Sequence, residues 1–531
     1  MKSFISTLSC IFITIAASAQ SNIDVLHYKY EIELNDNNDT IYGKAAITVK
    51  FTAPSLCVEF DLVQVGQNKK GMMVMNITGP NVNGGKSDLV AQKYRINLSG
   101  PAKKNDTAIY TISYKGIPAD GMIISKNKYG NRTFFSDNWP NRAHNWIPCV
   151  DEPGDKATVE FIVTAPSHYQ VISNGIQVEE TNLPGNKKMT HYKEDVPLPT
   201  KVMVVGAADF AVQTVGEVNC VPVYSWVYPE NKTEGFYDYA IGKDILAYHI
   251  NYIGPYPYKK LANVQSKTRF GGMENAGAIF YDESRLNGLR QEEELLSHEI
   301  VHQWFGDMAT EKSFAHVWLS EGFATYLTHV YIESKYGTDS LNEEMDIDRE
   351  TVLDFVKTNP RPVVDSNSNY MQLLNPNSYQ KGSWILHMLR RQLGDSVFRK
   401  SIRLYYATYA GKNAETQDLQ KIFETVSGKD LTQFFKQWLH TTVNPSLKIS
   451  WKYLAKEKKI KLDVEQLQPG ITFNLPLEIG ITMGGGKKIV MPFTNNSRIQ
   501  SFTWPVAAKP LSIIPDPNSS LLFEGTITEI K

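Results

Sequence analysis

The sequence is poor in cysteine, in long apolar runs and in net charge of either sign. It has 55 Lys and Arg against 56 Asp and Glu, a formal net charge of −1. This balance argues against a nucleic-acid binder and against a polybasic membrane protein. The mean hydropathy is −0.31 and only one long apolar run occurs, which excludes a polytopic membrane protein. The 531 residues, 42% of them hydrophobic, therefore indicate a globular chain of roughly three domains.

The four cysteines exclude a disulfide scaffold. Cys10 lies inside the N-terminal apolar run, and the remaining three cannot all pair with one another. No C-x-x-C pair is present to bind a metal or carry out redox chemistry. We expect at most one disulfide and otherwise buried, apolar thiols at Cys57, Cys149 and Cys220.

The first nineteen residues have the pattern of a signal peptide. Lys2 provides a positive start, an apolar stretch follows, and Ala17-Ser18-Ala19 has the form of a cleavage site. An uncleaved anchor is the alternative, but the apolar stretch is short for crossing a bilayer. We therefore expect an exported protein, periplasmic or secreted, with no integral membrane segment after cleavage.

The periodicity of apolar and polar residues changes twice after the signal peptide, which predicts an α+β multi-domain protein. Residues 20–212 show period-two alternation and turn clusters, as expected of a β-rich domain. Residues 213–442 show helical spacing, as in Trp384–Leu393, which ends at Gly394. Residues 443–531 alternate again and predict a small C-terminal β-sandwich.

The segment EEELLSHEIVHQWFG carries the strongest chemical signal. His298 and His302 are four residues apart, so on a helix both imidazoles point the same way, about 40° apart around the axis. Zn²⁺ suits two neutral imidazoles and one carboxylate, with a fourth position left for water. Glu299 lies beside them and can accept a proton from that water as a general base.

A third ligand is expected from the following helix. Glu321 lies nineteen residues after His302, a distance that accommodates a turn and the start of a second helix. Apolar Trp318, Leu319 and Phe323 flank it, and together with the first motif this makes Glu321 the best ligand candidate. We therefore predict Glu321 as the third zinc ligand, with one Zn²⁺ bound per chain.

Several separated motifs together resemble one known family. In chain order they are PCVDEP at 148–153, GGMEN at 271–275, HEIVHQWFGD at 298–307, WLSEGFATYL at 318–327 and YQKGS at 379–383. The chain looks like the aminopeptidase N and leukotriene-hydrolase family of zinc metallopeptidases. The resemblance covers about residues 21–525.

The resemblance implies a fold and roles for individual residues. It implies a saddle-like β-rich N-terminal domain and a thermolysin-like catalytic domain. Glu274 would bind the free α-amine of a peptide, with the neighbouring Gly271, Gly272, Met273 and Asn275 also in the substrate site. Tyr379 would donate a hydrogen bond to the oxyanion. Substrates would be peptides with a free N-terminus, cleaved at their first peptide bond.

Some positions depart from the family pattern. The segment SDNWPNRAHNW lacks the family's second amine-binding glutamine or glutamate, and either Asp137 or Trp139 occupies that region. Ser320 stands where asparagine usually precedes the ligand glutamate. Asp307 and His316 are candidates for orienting the zinc ligands. The large helical C-terminal domain of many relatives is not expected here.

Three functions remain open at this level. A zinc aminopeptidase is the leading hypothesis. A more permissive metallopeptidase with a weakened amine contact, or a catalytically silent peptide-binding protein, would use the same residues, and epoxide hydrolysis is an analogy only. The sequence does not indicate an oligomeric state or a preferred side chain.

Overall fold

The computed structural model describes residues 22–530, so the predicted signal peptide at 1–19 lies outside the described residues. The N-terminal part is built from strands, which confirms the prediction of a β-rich region. Its strands are β1 (Ile23–Glu33), β2 (Ile41–Phe51), β3 (Ser55–Asp61), β4 (Gly71–Thr78), β5 (Val82–Asp88), β6 (Lys93–Ala102), β7 (Thr107–Ile117), β8 (Met122–Lys126), β9 (Arg132–Ser136), β10 (Lys156–Pro166), β11 (Gln170–Ser173), β12 (Ile176–Leu183), β13 (Lys187–Pro199) and β14 (Val205–Ala208).

A seven-stranded sheet forms the base of this part, in the order β12-β13-β10-β1-β2-β7-β4. A four-stranded sheet, β11-β14-β9-β8, and a three-stranded sheet, β3-β6-β5, accompany it. In β1 the alternating residues Tyr28, Tyr30 and Ile32 are buried, because successive side chains of a strand point to opposite faces. Tyr30 stacks on Phe161 of β10, the parallel neighbour of β1, with ring centroids 5.3 Å apart.

Within the described residues, the middle part combines a five-stranded sheet and a two-stranded sheet with nine α-helices. Its strands are β15 (Ala211–Val218), β16 (Val221–Val227), β17 (Leu261–Ser266), β18 (Gly272–Met273), β19 (Ala278–Asp282), β20 (Ala309–Glu311) and β21 (Lys412–Ala414), the last two forming the two-stranded sheet. Its helices are α1 (Lys232–Tyr239), α2 (Gly242–Tyr252), α3 (Glu293–His302), α4 (Trp318–Tyr336), α5 (Thr338–Thr358), α6 (Gly382–Leu393), α7 (Asp395–Tyr409), α8 (Thr416–Ser427) and α9 (Thr432–Leu439).

The helical prediction for the middle part is confirmed, with one addition. Strands β15 to β19 form a five-stranded sheet in the order β15-β16-β17-β19-β18, which the helical spacing did not predict. Strand β15 crosses the predicted domain boundary after residue 212, so that boundary falls inside an element. Helix α6 ends at Leu393 before Gly394, as the sequence predicts, and α4 likewise ends at Tyr336 before a glycine, Gly337.

Strands return at the C-terminal end, as expected. They are β22 (Ser446–Leu454), β23 (Lys459–Gln466), β24 (Leu475–Thr482), β25 (Lys488–Asn495), β26 (Ile499–Pro505), β27 (Ser512–Pro515) and β28 (Glu524–Glu529). They form the sheets β26-β23-β22-β28 and β25-β24-β27. Buried residues of both sheets share one hydrophobic cluster with the middle part, so these strands extend its core. The sandwich arrangement stays a prediction.

Buried charges connect the N-terminal strands to the segment after α3. Lys201 and Glu311 form a fully buried ion pair with 2.6 Å between Nζ and Oε1. Lys156 Nζ donates to the carbonyl oxygens of Asp307 (3.1 Å) and Met308 (2.7 Å). Because an unpaired buried charge is costly, these contacts fix the two parts relative to each other.

Two further expectations concern the cysteines and the membrane. Cys57, Cys149 and Cys220 are free thiols. Cys149 is buried, but Cys57 is half-buried and Cys220 is exposed, contrary to the expectation that all three are buried. Among residues 22–530, no helix is both long and apolar enough to cross a membrane.

Candidate functional site

Three side chains from α3 and α4 converge on one point. The Nε2 atoms of His298 and His302 lie 3.1 Å apart. Glu321 Oε2 lies 3.4 Å from His298 Nε2 and 3.2 Å from His302 Nε2. Helices α3 and α4 pack directly against each other, so the i, i+4 spacing on one helix meets the first turn of the next. The structure therefore brings together the three residues that the sequence predicts as ligands.

The donor set fits a zinc ion. Two imidazole nitrogens and one carboxylate oxygen, all within 4.8 Å of one another, form a three-residue N, N, O set that could hold a metal ion, and zinc favours such donors. Burial alone would lower the pKa of His302, but the charges of Glu321, Glu274 and Glu299 raise it to about 10. These neighbouring carboxyl groups favour a positive charge at this point, and a bound divalent cation would supply it.

His302 is oriented by groups that the sequence did not indicate as its partners. Its Nδ1 lies 2.9 Å from Ser320 Oγ and 3.2 Å from the carbonyl oxygen of Phe305. At Gly306 the backbone φ is 122°, and a Cβ there would overlap Ser320 Oγ, so glycine makes this contact possible. In the sequence, the hydroxyl residue immediately before Glu321 was the one sign of a partner for His302. A backbone carbonyl partner leaves no sign in the sequence.

The two residues proposed from sequence to orient the ligands have other partners. Asp307 is fully buried and its Oδ2 accepts a hydrogen bond from Gln303 Nε2 at 3.0 Å. His316 Nδ1 lies 2.9 Å from Thr416 Oγ1. Neither side chain has a hydrogen bond to a candidate ligand among the described residues, although the backbone N–H of Asp307 donates to the carbonyl oxygen of His302 at 3.1 Å.

Glu299 lies in the same cavity and is held against strand β18. It is buried, and this burial raises the pKa of its carboxyl well above the usual value. A Cβ at Gly272 would overlap the Glu299 carboxylate, so only glycine at 272 leaves room for it. The carboxyl group of Glu299 therefore has a fixed place beside the candidate zinc ligands, but Glu299 is not itself a ligand.

Tyr379 approaches from the opposite direction, on a π-helical turn over Asn377–Lys381 that leads into α6. Its ring stacks on the imidazole of His298, with centroids 5.9 Å apart and planes inclined by 13°. Burial, then the charge of Glu321, raises the pKa of Tyr379 well above its usual value. The phenol is therefore a protonated hydrogen-bond donor at neutral pH.

A close contact between two glycines allows this approach. A Cβ at Gly322 would lie 2.8 Å from Gly382 Cα, so α4 and α6 meet without side chains between them. Gly322 follows Glu321, and Gly382 lies three residues after Tyr379. The contact thus sets the distance between the third candidate ligand and the phenol.

The cavity gathers most of the predicted residues, but not all of them. Its lining consists of Trp139, Phe270, Gly272, Met273, Glu274, His298, Glu299, His302, Glu321, Leu374 and Tyr379. Gly271 and Asn275 were predicted in the substrate site but are not part of the lining. Asn275 is fully buried, and its side-chain amide has no hydrogen-bond partner within residues 22–530.

The structure does not bring Asp137 to the cavity. Its carboxylate is buried, pairs with Arg142 and accepts the backbone N–H of Arg269 at 2.9 Å. Trp139, two residues later, lines the cavity instead. An aromatic ring therefore stands where the sequence left a choice between an acid and tryptophan.

Comparison with known proteins decides the family. Residues 25–202 match the Peptidase M1 N-terminal domain, and residues 237–438 match the Peptidase family M1 domain, which includes every candidate ligand. The chain belongs to peptidase family M1. The β-rich N-terminal part followed by a helical part fits the M1 architecture.

Similar M1 proteins come from distant organisms. Probable aminopeptidase 2 of Sulfurisphaera tokodaii is 29% identical over 412 residues, 72% of this chain and 51% of that protein. Aminopeptidase M1-C of Oryza sativa subsp. japonica is 26% identical, over 80% of this chain and 50% of its own length. Aminopeptidase A of Gloydius brevicauda is 28% identical, over 74% and 42%. The chain spans about half the length of the curated relatives it matches.

Proposed function

We propose that this protein is a zinc-dependent aminopeptidase that hydrolyses the N-terminal peptide bond of peptides. One observation carries the proposal: a single cavity holds the His298, His302 and Glu321 donor set together with Glu299 and Tyr379. The M1 family and the names of its relatives support the same reaction class.

The metal is assigned to the three convergent side chains. His298, His302 and Glu321 would hold one Zn²⁺, which when bound polarises a carbonyl group and makes water more acidic. The remaining chemistry belongs to the protein. Glu299, fixed against Gly272, takes the proton from the attacking water and passes it to the leaving amine. Tyr379 donates a hydrogen bond to the oxygen that becomes negative in the tetrahedral intermediate.

Glu274 supplies the contact that makes an exopeptidase. It lines the cavity, is buried, and its Oε1 has no hydrogen-bond partner among the described residues. A buried carboxylate oxygen without a donor is matched by the α-ammonium of a peptide, which brings three N–H donors. This contact sets the first peptide bond, rather than an internal one, beside Glu299.

A second candidate function is a more permissive metallopeptidase. The observation that favours it is Trp139 in the cavity wall with Asp137 turned away. In the part of the chain that the structure describes, the lining then offers one carboxylate for the amine, Glu274, in addition to Glu299 and Glu321. A single amine contact tolerates substrates without a free amine better than two contacts do.

One experiment separates these functions. Zinc-loaded protein is incubated with Leu-Gly-Gly and with its N-acetyl derivative, and the Gly-Gly released from each is measured, because cleavage of the Leu–Gly bond gives Gly-Gly from both peptides. An aminopeptidase releases Gly-Gly from the free peptide at least about 100 times faster. Comparable cleavage of both peptides supports the permissive enzyme. No cleavage of any peptide in a free-amine library, with one zinc bound per chain, supports a silent binding protein.

Three further assignments complete the proposal. The pattern at 1–19 supports export to a periplasmic or extracellular location. The M1 match supports a saddle-like N-terminal domain and a thermolysin-like catalytic domain. The two C-terminal sheets support a β-sandwich.

A further inference from the structure

The part of the cavity without catalytic groups is apolar throughout. Beyond Gly272, Glu274 and the candidate catalytic and zinc-binding residues, its lining consists of Trp139, Phe270, Met273 and Leu374. Among the described residues no Lys or Arg belongs to the lining, and the carboxylates of the lining all have roles in the proposed reaction. A substrate side chain that enters the cavity therefore meets an apolar surface.

Two rings give this surface its shape. Trp139 packs edge-to-face against Phe270, with centroids 6.1 Å apart, and against Phe314, with centroids 5.6 Å apart. Trp139 is only 2% exposed. We call Trp139 and Phe270 the aromatic wall. Its two residues come from chain segments about 130 positions apart, so contacts between these segments must hold the two rings in their relative positions.

Asp137 is the group that connects the two segments. Its Oδ2 accepts the backbone N–H of Arg269, the residue before Phe270, at 2.9 Å. Its Oδ1 pairs with Arg142, whose Nε donates to the carbonyl oxygen of Trp139 at 2.7 Å. The Arg142 guanidinium also lies 5.9 Å from the Phe270 ring centroid. One buried carboxylate thus bonds, directly or through Arg142, to the backbone on both sides of the wall.

We propose that Asp137 is a positioning residue that holds the aromatic wall, and that this wall selects peptides whose first residue is apolar. The inference rests on the proposed function and names the substrate class of the same site. Large apolar side chains gain by leaving water against the two rings. An acidic first residue would lose its hydration and face Glu274, Glu299 and Glu321, so it is the poorest substrate.

The first measurement compares aminoacyl substrates on the zinc-loaded enzyme. The expected kcat/KM for a leucyl or phenylalanyl substrate exceeds that for an alanyl substrate by about 30-fold, and that for a glutamyl substrate by about 1,000-fold. Equal rates for leucyl and alanyl substrates, or a preference for glutamyl, would overturn the inference while leaving the aminopeptidase intact.

Variants then test the positioning role of Asp137 through the ratio of kcat/KM for the leucyl substrate to kcat/KM for the alanyl substrate. Trp139→Ala and Asp137→Ala should each lower the leucyl-to-alanyl ratio about tenfold, mainly by raising KM for the leucyl substrate. Asp137→Asn keeps an acceptor for the Arg269 N–H and should lower the ratio by only about threefold. Loss of folded enzyme lowers the measured kcat/KM for both substrates by the same factor, so a general structural defect does not change the ratio.

Asp120→Asn is the matched control. Asp120 pairs with the side chains of both Arg142 and Arg269 but has no bond to the backbone of the wall. Its ratio should stay within about twofold of wild type. An equal fall in Asp120→Asn and Asp137→Ala would overturn the positioning role of Asp137.

A binding measurement tests the aromatic wall even if the protein has no peptidase activity. In the zinc-loaded Glu299→Gln variant, calorimetry should show Leu-Gly-Gly binding at least about tenfold more tightly than Ala-Gly-Gly, whether or not the wild type turns over. Absence of turnover would then contradict the proposed function alone, and equal binding of the two peptides would contradict the aromatic wall.

Discussion

The two sides of the cavity are built in opposite ways. The metal side takes its polar groups from α3 and α4, consecutive helices whose key residues lie four and nineteen positions apart. The aromatic side takes Trp139, Phe270 and Leu374 from three distant segments, one of them in the N-terminal part. Chemistry that requires fixed distances is placed on adjacent rigid helices, whereas recognition of a side chain is assembled from loops by long-range contacts.

The two sides also differ in what stabilises them. The metal side concentrates buried carboxylates and imidazoles, whose charges must compensate one another or a bound cation. The aromatic side buries rings and has the buried ion pair of Asp137 with Arg142 at its back. Substitutions on the first side should therefore change rates, and substitutions on the second should change selectivity.

The largest effect is expected for Glu299→Gln, which changes only the metal side. The amide cannot accept the proton, so kcat should fall by about 10² to 10⁴. Zinc content should remain one per chain because the three ligands are untouched, and metal analysis of the same sample checks this. A variant that keeps more than a tenth of wild-type kcat would show that another group is the base.

Lys201→Met tests whether the N-terminal part supports the metal side through buried charge. The change leaves Glu311 buried without its partner, 2.6 Å away in the native pair, and should lower the free energy of unfolding by about 3–5 kcal/mol. Urea unfolding of the zinc-loaded protein measures the loss. Lys312→Met is the control, since its pair with Glu415 is exposed and is expected to contribute at most about 1 kcal/mol. Equal losses in the two variants would contradict this distinction.

Gly272→Ala tests the contact between strand β18 and the base. The added Cβ would overlap the Glu299 carboxylate and displace it, so kcat should fall about 100-fold while the zinc content is unchanged. Gly100→Ala, where a Cβ meets nothing within 4 Å, is the control for the glycine substitution itself. Wild-type kcat in Gly272→Ala would mean that Glu299 has more freedom than its position indicates.

The smallest effect concerns pH and the packing behind α3. His249 Nε2 lies 3.0 Å from Ser297 Oγ, and burial lowers the His249 pKa from 6.5 to about 3. Between these values the unfolded chain binds more protons than the folded one, so acidification below about pH 6.5 reduces stability. From pH 8 to pH 5 the wild type should lose about 2 kcal/mol more than His249→Leu.

Denaturant unfolding of both proteins across this pH range provides the measurement. Zinc release on acidification is common to both proteins and cancels in the difference. Parallel stability curves would show that His249 is protonated in the folded protein.

The sequence predicted the regular elements and the metal side well, because both depend on local spacing. Helix α4 begins at Trp318 and ends at Tyr336 as its pattern and Gly337 indicate, and the alternation in β1 matches its buried face. The sheet β15–β19 was missed, since its short strands alternate with helices and give no long period-two signal. The zinc itself stays a prediction from the donor set.

The amino-acid sequence by itself determined which groups could bind a cation, because the i, i+4 geometry of a helix is fixed by its backbone. Only the tertiary structure decided that Ser320 and the Phe305 carbonyl orient His302, that Asp137 turns toward Arg142, and that Trp139 faces the cavity. These contacts join residues that are far apart in the chain or involve backbone atoms, which carry no side-chain signal. Local geometry is encoded in spacing, whereas long-range contacts depend on how the whole chain packs.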